Sequence, residues 1–221
     1  MLDLATNVRL SMGSLSRILG LLLAVIPVSG YGLAWEQSAD AAYLSSGDLK
    51  AFKQVIQNDK ENKYKNPDLI LEALPTAISS GNVELVKYLA SLGWLEICRK
   101  DKYCMPIHVA AQYGRVDAIR YLITQGFDAH AVTGPTAAGE GGKNSALHLA
   151  AGMGHIGAVM LLCEQGVDAN LKNEYGTTAL GDAKYTAGTG SIGPTKKEEA
   201  RIRANLAKVI EYLESGQCKK K

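Results

Sequence analysis

The sequence predicts an all-α solenoid of stacked helix–turn–helix units joined by hairpin loops. Three observations carry that expectation. Glycines recur in pairs, Gly81 with Gly93, Gly114 with Gly126 and Gly154 with Gly166, each pair 12 residues apart. The pairs step along the chain by 33 and then by 40 residues, the longer step holding a seven-residue insertion. Between the glycines the apolar positions stay in register, with Val83, Val116 and Ile156 in one column and Leu89, Leu122 and Leu162 in another. A fixed period of about 20 to 50 residues marks a repeat array, in which no unit buries its apolar face alone and stacking makes the core.

The letters inside the repeat are more specific than its period. "MPIHVAAQYG" at Met105–Gly114 and "SALHLAAGMGH" at Ser145–His155 share an apolar–His–x–Ala–Ala segment that runs into a glycine. They resemble the ankyrin repeat, whose period is about 33 residues and whose signature is T-P-L-H-x-A-A followed by a glycine–histidine turn. Degenerate copies flank them. "LPTAISSGN" at Leu74–Asn82 has Pro75 in the histidine column, and "YGTTALGDA" at Tyr175–Ala183 has Gly181 there. "YLSSGDLKAFKQVI" at Tyr43–Ile56 reads as a terminal copy. The resemblance covers residues 38–216 and implies, for each unit, a short helix, a turn, a longer helix and a hairpin.

Taken in order, residues 1–34 read as a secretory signal peptide. Arg9 and Arg17 precede the apolar run "ILGLLLAVIPV", Ile18–Val28, and small residues follow it. The run is 11 residues long, short of the roughly 20 that span a bilayer. Cleavage after Gly30 or after Ala34 fits, and Met12 could serve as the start. Residues 35–66 form an N-terminal capping repeat, and 67–173 form three units with an insertion at 133–143. Within them Pro106 opens a short helix at a position where the missing N–H costs nothing. Gly114 and Gly154 end the short helices, and Gly93, Gly126, Gly166 and Gly216 end the long ones. Residues 174–221 form a degenerate repeat with a capping helix and a basic tail. The loop "AGTGSIGPT", Ala187–Thr195, interrupts that unit, and Ile202, Leu206, Val209, Ile210 and Leu213 make the helix's apolar stripe.

Several tempting chemistries fail against the repeat. A net charge of +2 gives no electrostatic case for nucleic acid. "GEGGKNS" at Gly139–Ser145 lacks the spacing of a phosphate loop, since Asn144 follows Lys143 where Ser or Thr is needed. His108 and His148 share the column in which ankyrin histidines bond backbone between units, and His155 sits in the glycine–histidine turn. His130 stands outside the motif on a hairpin. Cys98, Cys104 and His108 could be three metal ligands, but the resemblance gives His108 a structural role. With a signal peptide pointing to an oxidising compartment, Cys98 and Cys104 read instead as a disulfide across a hairpin. Such a bridge stabilises by about 2 kcal/mol in the chain-entropy model and makes Arg99–Tyr103 a charged knob at a loop tip. Cys163 reads as a small buried hydrophobe in preference to a partner of Cys218.

The function implied is binding another protein, without catalysis or a cofactor. The expected binding face is Arg99, Lys100, Lys102 and Tyr103 on the first hairpin, Gln112 and Tyr113 on the next short helix, and Met153 and Tyr175 beyond. Tyrosine, arginine and methionine are enriched at interfaces. The expected setting is periplasmic or secreted, with a chain that is monomeric when free and not inserted in a membrane after signal cleavage. Small secreted ankyrin proteins of bacteria suggest an immunity protein that covers a toxic effector. Two other roles fit the same resemblance: support of catalase-linked oxidative-stress defence, and an exported effector that binds a host protein.

Overall fold

The computed structural model describes residues 39–58, 65, 67–134, 142–189 and 194–218. The signal-peptide segment, the tip of the insertion at 135–141, the middle of the last loop at 190–193 and the end of the basic tail lie outside them.

The described residues form helices in two rows. The inner row is α1 (Ala39–Ser46), α3 (Pro67–Ser80), α6 (Pro106–Gln112), α8 (Ala146–Gly152) and α10 (Ala179–Gly188), each packed on the one before. The outer row is α2 (Leu49–Gln57), α4 (Val83–Ser91), α7 (Val116–Thr124), α9 (Ile156–Glu164) and α11 (Lys196–Glu214). Among the described residues there is no strand, only an isolated bridge between Val132 and Ser145. This is the all-α solenoid that the period implies.

Helices α6 and α8 are short because Gly114 and Gly154 end them one turn after the paired alanines. Ala110, Ala111, Ala150 and Ala151 are fully buried, and their small side chains let α3, α6, α8 and α10 approach closely. The outer helices supply the bulk of the apolar packing through Leu85, Leu89, Ile119, Leu122, Val159 and Leu162, all buried. Polar side chains start five of the helices, where amides lack partners. Asp48 caps α2, Asn82 caps α4, Thr178 caps α10 and Thr195 caps α11. Ser145 caps α8 with a capping box completed by His148.

The first hairpin departs from expectation. Residues 94–100 are not a loop but an extra helix, α5 (Trp94–Lys100), packed on α3 and α4. The reason is an apolar stripe: Trp94, Leu95 and Cys98 are buried, and Trp94 meets Phe52 edge-on with ring centroids 6.0 Å apart. Cys98 and Cys104 lie at bonding distance with Cα atoms 5.2 Å apart, so the bridge ties this helix to the following loop rather than closing a bare hairpin.

The far end holds a second correction. Cys163, near the end of α9, is paired with Cys218, just past α11, with Cα atoms 4.9 Å apart. The packing of α9 on α11 brings together residues 55 apart in sequence. Closing so long a loop stabilises by about 4 kcal/mol in the chain-entropy model. The same end is fastened by Arg203, which donates to the carbonyls of Ala187 and Thr189, and by a Lys184–Glu214 ion pair at 2.7 Å. Helix α10 runs to Gly188, so the loop expected from Ala187 begins two residues later.

Two positions make the backbone geometry testable. Gly114 has φ +64, and a Cβ there would stand 2.6 Å from His155 Nδ1. Lys143 has φ +63, two residues before the cap of α8, and Gly176 holds φ +74 at the same place before the cap of α10. The left-handed region costs an L-residue roughly 1–2 kcal/mol. Gly114→Ala should therefore lower stability by about 2 kcal/mol or more once the clash is added. Lys143→Gly should raise it by about 0.5–1 kcal/mol after the flexibility of glycine is discounted. Denaturant melts of both variants check the pair, and equal effects of one sign would contradict it.

Candidate functional site

Three hairpins lead into α6, α8 and α10, and because those helices stack, their tips form one row beside the inner helices. Among the described residues Tyr103 is the most exposed large hydrophobic residue, at 64%, and Tyr113 and Tyr175 are each 45% exposed. Lys100, Lys102, Lys143 and Lys172 are exposed as well. Val132, 37% exposed, sits at the base of the inserted loop. That base is ordered: Thr133 exchanges hydrogen bonds with Asn144 and Lys143, and the Gly142 amide donates to Glu174 Oε2 at 2.6 Å.

Three of the expected binding residues are placed differently. Arg99 lies on α5, where it donates to the carbonyls of Gln125 at 2.7 Å and Gly126 at 3.4 Å and stacks over Phe127 at 4.7 Å. It fastens one hairpin to the next. Gln112 is only 7% exposed, because every residue of the seven-residue helix α6 is buried between α3 and α8. Met153 caps α8 and is half-buried. Arg99, Lys100, Lys102, Tyr103, Tyr113 and Tyr175 are exposed.

The knob at the first hairpin is held rigidly. Asp101 Oδ1 accepts from the amides of Tyr103 at 2.7 Å and Cys104 at 3.0 Å. Lys102 Nζ sits over the Tyr103 ring, 4.7 Å from its centroid. The Cys98–Cys104 pairing encloses both residues.

The groups that resemble chemistry are spent on structure. Ser145 Oγ lies 2.8 Å from His148 Nδ1, with Asp182 close enough to interact with the ring. Ser145 is wholly buried, however, and His148 Nε2 donates to the Thr177 carbonyl at 3.2 Å. His108 Nε2 donates to the Asn144 carbonyl at 3.1 Å. A cleft of about 200 Å³ between α7 and α9 contains His155, but its Nε2 already donates to the Gln112 carbonyl at 2.9 Å. Among the described residues no three His, Cys, Asp or Glu side chains group as metal ligands. No helix of the described residues is long and apolar enough to cross a membrane.

One column was not read from the sequence. Asn82, Arg115 and His155 each follow the glycine that ends an inner helix, and each reaches back one unit. Asn82 Nδ2 donates to Gly47 O at 2.6 Å, Arg115 Nε to Ser79 O at 2.6 Å, and His155 to Gln112 O. The three side chains are chemically unlike. Their shared trait is a donor immediately after the glycine, which was the available signal. A second missed cluster is Asn173, buried in the last hairpin, whose side chain bonds Asn144, Tyr175 and Thr177.

Known proteins carry the same pattern. The family described as ankyrin repeats in three copies matches residues 39–133, and the many-copy description matches residues 107–162. The chain belongs to the ankyrin-repeat family. Among curated proteins it is 34% identical over 90 residues to protein phosphatase 1 regulatory subunit 27 of Homo sapiens, covering 40% of this chain and 58% of the relative. The Mus musculus protein of that name matches to the same extent. The chain thus spans less than two thirds of these relatives. Ankyrin repeats imply binding to another protein.

The buried histidines set the acid response of the array. Burial pushes His108 down from 6.5 to about 4, and burial also lowers His148 and His155. In the unfolded chain these rings take up protons near the ordinary value, whereas in the folded array they stay neutral. Stability is therefore full above the ordinary value and falls as pH drops from 6.5 towards about 4. For His108 the loss is on the order of 3 kcal/mol. Asp182, raised by burial, acts in the opposite sense. Melting curves from neutral pH to pH 4 should show this acid loss, and His108→Gln should shrink it. An unchanged slope in that variant would remove His108 from the account.

Proposed function

We propose that this ankyrin array is a non-catalytic binding protein that works by capture, covering a partner's working surface with its hairpin row. The observation that carries this reading is the contrast between two sets of residues. Tyr103, Tyr113 and Tyr175 are large and exposed beside a rigid inner row, while the serine and histidines that could do chemistry are buried or bonded. Rigid aromatic side chains give large contact area at little entropic cost. The relatives' name describes proteins that regulate an enzyme, an act of the same class.

The proposed setting is an exported one, periplasmic or secreted. Two observations support it: the apolar leader at Ile18–Val28, and the pairing of all four cysteines, which oxidising compartments permit. Within that setting we favour an immunity or inhibitor role against a toxic protein, since steric cover needs no chemistry. Support of oxidative-stress defence and capture of a host protein use the same face with other partners.

Cell fractionation followed by affinity capture from the protein's own compartment tests both parts. A mature form beginning near Tyr31 or Trp35 outside the cytoplasm supports export, and full-length protein confined to the cytoplasm contradicts it. Against the captured partner, Tyr103→Ala and Tyr113→Ala should each weaken binding by about 1–2 kcal/mol or more. Both should keep stability within about 0.5 kcal/mol. Leu122→Ala, fully buried in α7, should instead cost roughly 2–5 kcal/mol of stability. Normal binding by both folded tyrosine variants would move the interface elsewhere.

A further inference from the structure

We infer that the knob Lys100–Tyr103, continued by Lys143 and Lys172 on the next two hairpins, is the primary contact and that its partner is an acidic protein segment. This deepens the capture reading and rests on it. It comes from the way the hairpins sort their charges. Asp101 turns its carboxylate in on the Tyr103 and Cys104 amides. Asp128 does the same with the His130 amide at 2.8 Å, Asp168 with the Asn170 amide at 2.9 Å, and Glu174 with the Gly142 amide. Each of these carboxylates accepts a backbone amide, from its own turn for the three aspartates and from the neighbouring hairpin for Glu174, although Asp128 and Glu174 stay exposed. Lys100, at the end of α5, and Lys102, Lys143 and Lys172 on the hairpins are exposed, and among the described residues none of them is in an ion pair. The row therefore presents ammonium groups that are in no ion pair, while its carboxylates each accept a backbone amide and those of Asp101 and Asp168 are half-buried.

Position reinforces the sorting. Tyr103 and Lys143 stand two residues before the caps of α6 and α8, and α8 packs on both α6 and α10. Packed helices lie about 8–10 Å apart, so the tips repeat at that distance. An extended chain rises about 3.3 Å per residue, and every third residue would meet a tip. The knob needs little ordering on binding, because the Asp101 turn, the Lys102–Tyr103 stack and the cysteine pairing already fix it. A carboxylate seated there meets the Lys102 ammonium and the Tyr103 ring together. The tyrosines favour a protein over other polyanions, since they offer flat apolar area as well as a hydroxyl.

Fluorescence anisotropy on the full chain tests this with three probes: a short glutamate-rich peptide, its lysine-rich counterpart and a single-stranded oligodeoxynucleotide. The glutamate peptide should bind at low ionic strength and weaken as salt rises, and the lysine peptide should not bind. Lys100→Glu combined with Lys102→Glu should lower affinity by about tenfold or more, Lys100→Gln with Lys102→Gln by less, and Lys208→Glu on α11 not at all. Unchanged melting temperatures keep the comparison valid, and the glutamine pair stands in if the charge reversal unfolds. Absence of glutamate-peptide binding, or equal binding by the charge-reversed variant, overturns the inference. Oligonucleotide binding of equal strength through the same lysines also overturns it, because the face would then read any polyanion. If the captured partner still needs Tyr103 and Tyr113 while the acidic peptide fails, capture stands and the acidic chemistry falls.

Discussion

Each short inner helix ends with carbonyls that have no partner in their own helix, and they end inside the protein, against the next unit. Water cannot reach all of them, so the following unit must bring a donor. Arg115 and His155 bring one to Ser79 and Gln112, and Asn82 reaches Gly47 just past the end of α1, whose carbonyl also accepts from Leu49. The donors differ in charge and shape because the demand is only for an N–H at that place. The glycine of the preceding unit is part of the device, Gly47 for Asn82, Gly81 for Arg115 and Gly114 for His155. At Gly114 a side chain would occupy the space of the His155 ring, so the donor can approach only where the Cβ is missing. A second set of bonds runs the other way, from His108 and His148 to the hairpin carbonyls of the next unit. Adjacent units are thus laced in both directions over a core of alanine and leucine.

This lacing decides where function can sit. A linear array is stabilised by contacts between neighbours, so side chains in the interfaces are committed to structure. That is why His108, His148, His155, Ser145 and Gln112 are committed to structure, and why Arg99 fastens one hairpin to the next. What stays exposed is the row of hairpin tips, where Lys102 and Tyr103 sit in a turn fixed by Asp101 and the Cys98–Cys104 pairing. The cysteine pairings lie near the two places where the regular stack is interrupted. One anchors the extra helix α5, and the other ties the end of the chain back to α9.

Much of the array was legible because a repeat reports each interface several times. The glycine pairs marked both ends of α4, α7 and α9, and Pro106 marked the start of α6. The histidine column was legible for the same reason. Features that occur once were not. Helix α5 hides in "WLEICRK", where the apolar stripe Trp94, Leu95 and Cys98 is a single turn long and was overshadowed by the cysteine spacing. Gln112 looked like surface by residue type, yet a seven-residue helix packed between two others leaves no exposed side. The Cys163–Cys218 pairing depends on α11 folding back on α9, a tertiary fact with no local signal. The donor column escaped because its members share a function and not a letter.

The central claim is that donors reaching back one unit couple neighbours along the array. Hydrogen exchange followed by mass spectrometry on Arg115→Ala tests it most directly. Arg115 holds the Ser79 carbonyl at the end of α3, so its loss should loosen the interface between α3 and α6. The account predicts faster amide exchange in α1 to α4 and at the start of α6, with α8 to α11 almost unchanged. Exchange that rises equally throughout the array, or nowhere, would contradict it.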